Sequence, residues 1–120
     1  MKSINGYKDL IVWQKSMDLV DEIYKLVRLL PKEELFALSD QMRRAAVSIP
    51  SNIAEGYERK SKKEYSQFLS MARSSRAEIE TQILICIRQG FFTQEKADKV
   101  FGLCDEIGKM LNSLITKTEA

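Results

Sequence analysis

Residues 41–59 read Gln-Met-Arg-Arg-Ala-Ala-Val-Ser-Ile-Pro-Ser-Asn-Ile-Ala-Glu-Gly-Tyr-Glu-Arg, and this stretch decides the fold. Its apolar side recurs at steps of three and four, which is helical spacing, through Met42, Ala45, Ile49, Ile53 and then Gly56. Between Ala45 and Gly56 the only charged residue is Glu55. A helix with so little solvent face is normally surrounded by protein. We therefore expect the central helix of a bundle, with one flank against another copy of the chain.

A polar stripe runs beside the apolar one, about 100° around the same helix. Its members are Gln41, Arg44, Ser48, Asn52 and Glu55, and we expect it to face Ser74 and Glu78 of a later helix. Two hypotheses follow. Glu55 and Glu78 could form an acid/base pair, or the stripe could be a satisfied polar network that sets helix register or a subunit contact. Because the chain has no His, the network is the better interpretation.

Pro50 lies inside this pattern, where it removes a backbone hydrogen bond and clashes with the preceding turn. Neither stripe changes phase at Pro50, which predicts one kinked helix rather than two helices broken at Ile49. Ser61-Lys62-Lys63-Glu64 is a capping box that begins the next helix, and Gly90 is a C-terminal stop. The whole pattern predicts an all-α, antiparallel up-down-up-down bundle with helices over about 10–30, 39–59, 62–89 and 94–116.

The length of 120 residues fits a single domain. No apolar run has the length of a membrane span and no signal-peptide pattern opens the chain, so we expect a cytoplasmic protein without membrane contact. Cys86 and Cys104 fall on apolar helical faces, which favours reduced core thiols over a disulfide or a metal site. We expect no metal and no cofactor.

Positive charge is concentrated in one part of the chain. Residues 43–63 contain six basic and two acidic side chains, whereas the whole chain has a net charge of only +2. The candidate nucleic-acid-binding residues are Arg59, Lys60, Lys62 and Lys63, extended by Arg73 and Arg76. The alternative is a solvated helix end that aids solubility. A ring of copies favours binding, because several patches add into one field.

Three motifs resemble those of a bacterial family, the four-helix bundle or large-subunit rRNA intervening-sequence protein family. They are Leu10-x-Val12-Trp13-Gln14-Lys15-x-Met17, then Gln41-x-Arg43-Arg44-Ala45-Ala46-x-Ser48-Ile49-Pro50-x-Asn52-Ile53-Ala54-Glu55-Gly56 with Arg59, and Phe68-Leu69-x-x-Ala72-x-x-Ser75-x-x-Glu78. The resemblance implies an antiparallel four-helix bundle, commonly a homopentamer, without an established activity. The fold that the resemblance implies is also similar to that of the accessory variability protein of diversity-generating retroelements, a basic pentamer that binds nucleic acid and a reverse transcriptase.

Three functions remain open at this stage. The first is a non-enzymatic homo-oligomer that binds RNA or DNA through a composite basic surface. The second is a scaffold whose polar stripe and flanks hold subunits and a protein partner, without nucleic-acid binding. The third is a carboxylate enzyme built on Glu55 and Glu78, for which no substrate is indicated.

Overall fold

The computed structural model describes residues 5–119, which form four α-helices and, within that range, no strand. The helices are α1 (Ile11–Val27), α2 (Leu38–Tyr57), α3 (Lys62–Arg88) and α4 (Gln94–Glu119), and short 3-10 turns lie at Tyr7–Asp9 and Lys32–Glu34. The all-α four-helix prediction is confirmed. Helix α1 ends earlier than predicted, because the N–H groups of Leu29 and Leu30 bond three residues back and tighten the chain before Pro31.

Each helix packs against two neighbours: α2 and α4 flank α1, and the same two helices flank α3. Residue numbers that rise along one helix fall along its neighbour, so these pairs run in opposite directions. Between α2 and α3, Met42 pairs with Cys86 and Ser48 with Ser75. Between α3 and α4, Ser66 pairs with Glu119 and Arg73 with Asn112. Between α1 and α4, Lys15 pairs with Glu106 and Glu22 with Lys99. All four helices contribute fully buried side chains to one core, among them Leu19, Ile53, Ile79 and Leu111.

Helix α2 continues from Leu38 to Tyr57 through Pro50, which is buried within it. The alternative of two helices broken at Ile49 is therefore wrong, whereas the kink at Pro50 stays a prediction. The apolar stripe of α2 is the core face, since Met42, Ile49 and Ile53 have no exposed surface. At the last turn of α2, Gly56 lies so near α3 that an added Cβ would be 2.7 Å from the Cβ of Phe68.

Both ends of α3 have the local hydrogen bonds that the sequence predicts. The Ser61 side chain accepts a hydrogen bond from the N–H of Glu64 at 3.1 Å, which confirms the predicted N-cap. At the other end Gly90 has a φ of +79°, and the N–H of Phe91 bonds the carbonyl of Cys86 at 3.0 Å. This left-handed glycine ends the helix and turns the chain toward α4.

Candidate nucleic-acid interface

Four cations lie where α2 passes into α3, and we call Arg59, Lys60, Lys62 and Lys63 the basic corner. The N–H of Arg59 bonds the carbonyl of Gly56 at 3.1 Å, which closes the last turn of α2. Ser61 then caps α3, so the connection between the two helices is only four residues long. Tight turns on both sides leave no core-facing position for these side chains, and all four residues are exposed.

The charges of the basic corner are not neutralised by direct ion pairs. None of its four residues takes part in a salt bridge with any residue of the described range, 5–119. The guanidinium carbon of Arg59 lies 4.9 Å from the ring centroid of Phe68, a cation–π contact that holds the side chain while leaving its charge in solvent. Arg59 is therefore a positioned cation, and the three lysines are exposed.

Carboxylates stand close to the basic corner and reduce its net charge. Glu58 and Glu64 flank it in sequence, and both are exposed. Glu119, at the end of α4, accepts a hydrogen bond from Ser66 at 2.9 Å, beside Lys62 and Lys63 in a surface groove. One copy of the chain consequently presents only a modest positive field at this end of the bundle.

The two arginines predicted to extend the cluster lie in different environments. Arg73 is exposed and donates to the side-chain oxygen of Asn112 on α4 at 3.1 Å. Arg76 is ion-paired with Glu80, and its side chain is only 22% exposed. Its guanidinium lies across α4, near Gly108. Arg73 thus remains available on the surface, whereas Arg76 is occupied in the packing of α3 on α4 and does not join the basic corner.

The polar stripe of α2 meets α3 at one point, through Ser48. The hydroxyl groups of Ser48 and Ser75 are 2.5 Å apart, and Asn52 donates to the backbone carbonyl of Ser48 at 2.8 Å. The sequence predicts the adjacent Ser74 as the facing residue, yet Ser74 is exposed and its hydroxyl donates to the carbonyl of Ser70 in its own helix. The spacing of apolar residues along α3 could have identified Ser75, because it places Ser75 on the buried side of the helix.

The remaining stripe residues lie on the surface of the single chain. Arg44 pairs with Asp40 one turn earlier and its side chain is 80% exposed. Glu55 and Gln41 are exposed, and Glu78 accepts a long hydrogen bond from Gln82 at 3.4 Å. Within the described residues no hydrogen bond or ion pair joins Glu55 to Glu78, so the structure does not assemble the predicted acid/base pair. The role of the stripe as a subunit contact stays a prediction.

Exposed apolar side chains accompany this stripe. Met71 and Ile85 lie on α3 at helical spacing with Ser74 and Glu78, and this side of the helix is next to Ser75, which contacts α2. Their residue exposures are 51% and 41%. We use the name α2–α3 flank for seven exposed residues of these two helices: Gln41, Arg44 and Glu55 of α2, and Met71, Ser74, Glu78 and Ile85 of α3.

Both cysteines are free and buried in the core. Burial raises the pKa of the Cys86 thiol to about 11, with a smaller contribution from the charge of Glu34. Burial raises the pKa of the Cys104 thiol to about 12, and the nearby charge of Glu80 adds to the effect. A thiol that stays protonated at neutral pH is a poor nucleophile, so neither side chain resembles a reactive cysteine.

Residues 5–119 contain neither a membrane-spanning helix nor a cluster of metal-ligating side chains. No helix in this part of the chain combines the length and apolar character needed to cross a membrane. No group of three or more acidic or cysteine side chains converges as a metal site among these residues.

Comparison with known proteins identifies relatives over most of the chain. The family described as 23S rRNA-intervening sequence protein matches residues 8–113. A crystal structure of a protein with unknown function from the S23 ribosomal protein family of Bacteroides thetaiotaomicron VPI-5482 superposes with a TM-score of 0.80 at 28% identity. The alignment covers 88% of this chain and 98% of that one. No curated protein matches the chain significantly.

Proposed function

Because the chain belongs to the 23S rRNA-intervening sequence protein family, we propose that it is a non-enzymatic, homo-oligomeric four-helix bundle that binds nucleic acid through a composite basic surface. One observation carries the proposal: the four cations of the basic corner lie within five residues, are exposed, and form no ion pair with the described residues. Such a cluster neutralises phosphates without reading base sequence. We also propose that the protein acts in the cytoplasm.

Oligomerisation is part of the proposal, because one copy has too little net charge at this corner. Two of the six charged side chains in residues 58–64 are carboxylates. Repetition of the corner around a ring would add the fields of several copies over one surface. The α2–α3 flank supports such assembly, since Met71 and Ile85 leave apolar surface in water beside polar groups that a second copy could bond.

The direct test is binding of a labelled single-stranded RNA, with DNA of the same sequence in parallel, across a salt series. RNA is the first probe because the family description names 23S rRNA. If four cations contact phosphates, the slope of log K against log salt is about −3 per copy for a single strand. Absence of binding at low salt, or an affinity that ignores salt, would overturn the proposal.

Charge reversal assigns the binding surface. We expect Lys60→Glu, Lys62→Glu and Lys63→Glu each to weaken binding about equally for all sequences and to reduce the salt slope by about 1. The matched control is Lys96→Glu, because Lys96 is an exposed lysine in the first turn of α4, at the other end of the bundle. Equal losses from Lys96→Glu and Lys62→Glu would show that only overall charge matters.

The oligomer is tested separately by light scattering, with the homopentamer implied by the family resemblance as the expected state. We expect Met71→Glu and Ile85→Glu to lower the mass toward one chain while helix content by circular dichroism is kept. Leu84→Glu is the matched control: Leu84 is 53% exposed but lies about 100° around α3 from Ile85. Equal dissociation by the Leu84 variant would contradict the assignment of the α2–α3 flank.

A protein-interaction scaffold without nucleic-acid binding is the second candidate. It is favoured by the same exposed flank, where a different protein could take the place of a second copy. A partner that survives nuclease treatment in a pull-down, and is lost with Ile85→Glu but not with Lys62→Glu, would support the scaffold over the nucleic-acid-binding function.

A further inference from the structure

A surface groove of about 450 Å³ lies at the end of the bundle opposite the basic corner. It is formed where α1 ends, where the connection over residues 28–37 crosses, and where α2 begins. Its floor is mainly aliphatic, from Val27, Leu30 and Leu35, with Tyr24 as the one aromatic side chain of the lining. Nothing in the functions proposed above uses this groove.

Three cations surround this aliphatic floor. They are Arg28, Lys32 and Arg43, which come from the end of α1, the 3-10 turn and the second turn of α2. No carboxylate lines the groove, and none of the three forms an ion pair with any residue between 5 and 119. Glu33, Glu34 and Asp40 are neighbours of these cations in sequence, but none of the three lines the groove. The site is therefore electrostatically complementary to an anionic ligand.

The connection beside the groove also exposes large apolar side chains. Phe36 is 90% exposed, Leu35 48% and Leu29 46%. The backbone of the connection is held by hydrogen bonds, from the N–H of Leu35 to Lys32 and from the N–H of Ala37 to Glu34, each at 3.0 Å. These side chains are thus displayed on an ordered turn, and exposed aromatic and aliphatic residues next to a concave site are typical of protein recognition.

We propose that this groove binds a short acidic segment of a partner protein, with an apolar side chain on the aliphatic floor and carboxylates on the three surrounding cations. Arginine binds carboxylates through paired N–H donors, which Arg28 and Arg43 can supply. A peptide fits better than a nucleic acid strand, because the mainly aliphatic floor between the cations matches an apolar side chain flanked by carboxylates, whereas phosphate contacts need no apolar surface. The interaction is independent of the basic corner, which lies at the other end of α2.

The probe is a fluorescein-labelled peptide, Glu-Asp-Leu-Trp-Leu-Asp-Glu, titrated with the full chain in an anisotropy assay. Two comparison peptides distinguish the contribution of charge from that of apolar contact. One has Lys at each acidic position, and the other has Ser at each apolar position. We expect saturable binding of the first peptide only. Lys32→Glu, in an exposed turn, should weaken it about tenfold through loss of a charge pair, and Leu35→Ser should weaken it by removing part of the floor.

Lys62→Glu is the matched control, because it reverses another exposed lysine charge, at the basic corner. Unchanged peptide affinity in this variant supports the groove as the site, and an equal loss would refute it. Binding of the Lys-containing peptide, or an affinity untouched by both Lys32→Glu and Leu35→Ser, would also overturn the proposal. So would RNA binding that is lost with Lys32→Glu and kept with Lys62→Glu, which would make the groove a nucleic-acid site. A fall in oligomer mass with Leu35→Ser would instead assign the groove to a second copy.

Discussion

Replacing Gly56 by Ala tests how closely α2 and α3 approach. The new Cβ would lie 2.7 Å from the Cβ of Phe68 and 3.0 Å from a ring carbon of Tyr65. The Cβ of Phe68 is attached directly to the α3 backbone, so it moves only if the helix moves. Ala lacks the conformational cost of Gly and should stabilise the helix by about 1 kcal/mol. Overpacking at such a rigid contact costs about 2–3 kcal/mol.

The overpacking therefore exceeds the gain in helix propensity, and we expect Gly56→Ala to lower the free energy of unfolding by about 1–2 kcal/mol. The assay is urea unfolding followed by circular dichroism, at one fixed protein concentration because assembly contributes to apparent stability. Gly102→Ala is the matched control. Gly102 is inside α4, and an added Cβ there would meet no atom within 4 Å.

The control should show the propensity effect alone, a stabilisation of about 0.5–1 kcal/mol. Opposite signs for the two variants are thus the expected result. If Gly56→Ala stabilised the protein as much as Gly102→Ala does, the close approach of α2 to α3 would be refuted. The position of Phe68 beside the end of α2, and with it the contact to Arg59, would then be wrong as well.

Three further predictions concern the cap, the thiols and an ion-paired carboxylate. Ser61→Ala should cost about 1 kcal/mol, because it removes the acceptor for the N–H of Glu64; an unchanged thermal midpoint would contradict the cap. The pKa values of the Cys86 and Cys104 thiols rise from 9.0 to about 11 and about 12, so their contribution to stability is complete below pH 9 and is lost as pH rises through the folded values. A thiol reagent at pH 8 should therefore label the urea-unfolded chain rapidly and the folded chain only through opening, and rapid labelling of the folded chain would count against this burial. The hydrogen bond from Lys25 lowers the pKa of Glu22 below 4.5, burial opposes this, and Lys99 adds to the lowering. The ionised Glu22 therefore stabilises the fold above pH 4.5, and this stabilisation is lost as the pH falls through the folded pKa. Glu22→Gln should reduce the loss of unfolding free energy at acid pH, and an unchanged pH dependence would contradict the pairing of Glu22 with Lys25.

The two end signals of α3 were predictable because their cause lies within a few residues. The Ser61 cap and the Gly90 stop depend on hydrogen bonds to neighbours in sequence, and both are present as expected. The core face of α2 followed from apolar spacing alone, and its unbroken phase across Pro50 correctly excluded a break. For the same reason the basic corner was visible in the sequence, because its cations are consecutive or nearly so.

Contacts between helices were less predictable, because they depend on the rotation and register of one helix against another. That register pairs Ser48 with Ser75 rather than with Ser74, a difference of one residue and about 100°. It also lays Arg76 over Gly108 of α4, where the absence of a side chain leaves room for a guanidinium. The spacing of residues within one helix does not predict which residue of a neighbouring helix each one contacts.

The sequence by itself determined the four helices, the Ser61 cap and Gly90 stop of α3, and the faces that enter the core, since hydrogen bonding and apolar periodicity act along the chain. The tertiary structure alone decided which polar groups meet and which cations stay exposed. It also brought Arg28, Lys32 and Arg43 from three separate segments around one groove. The physical reason is that packing joins residues far apart in the chain, and the shape of the whole core sets their alignment.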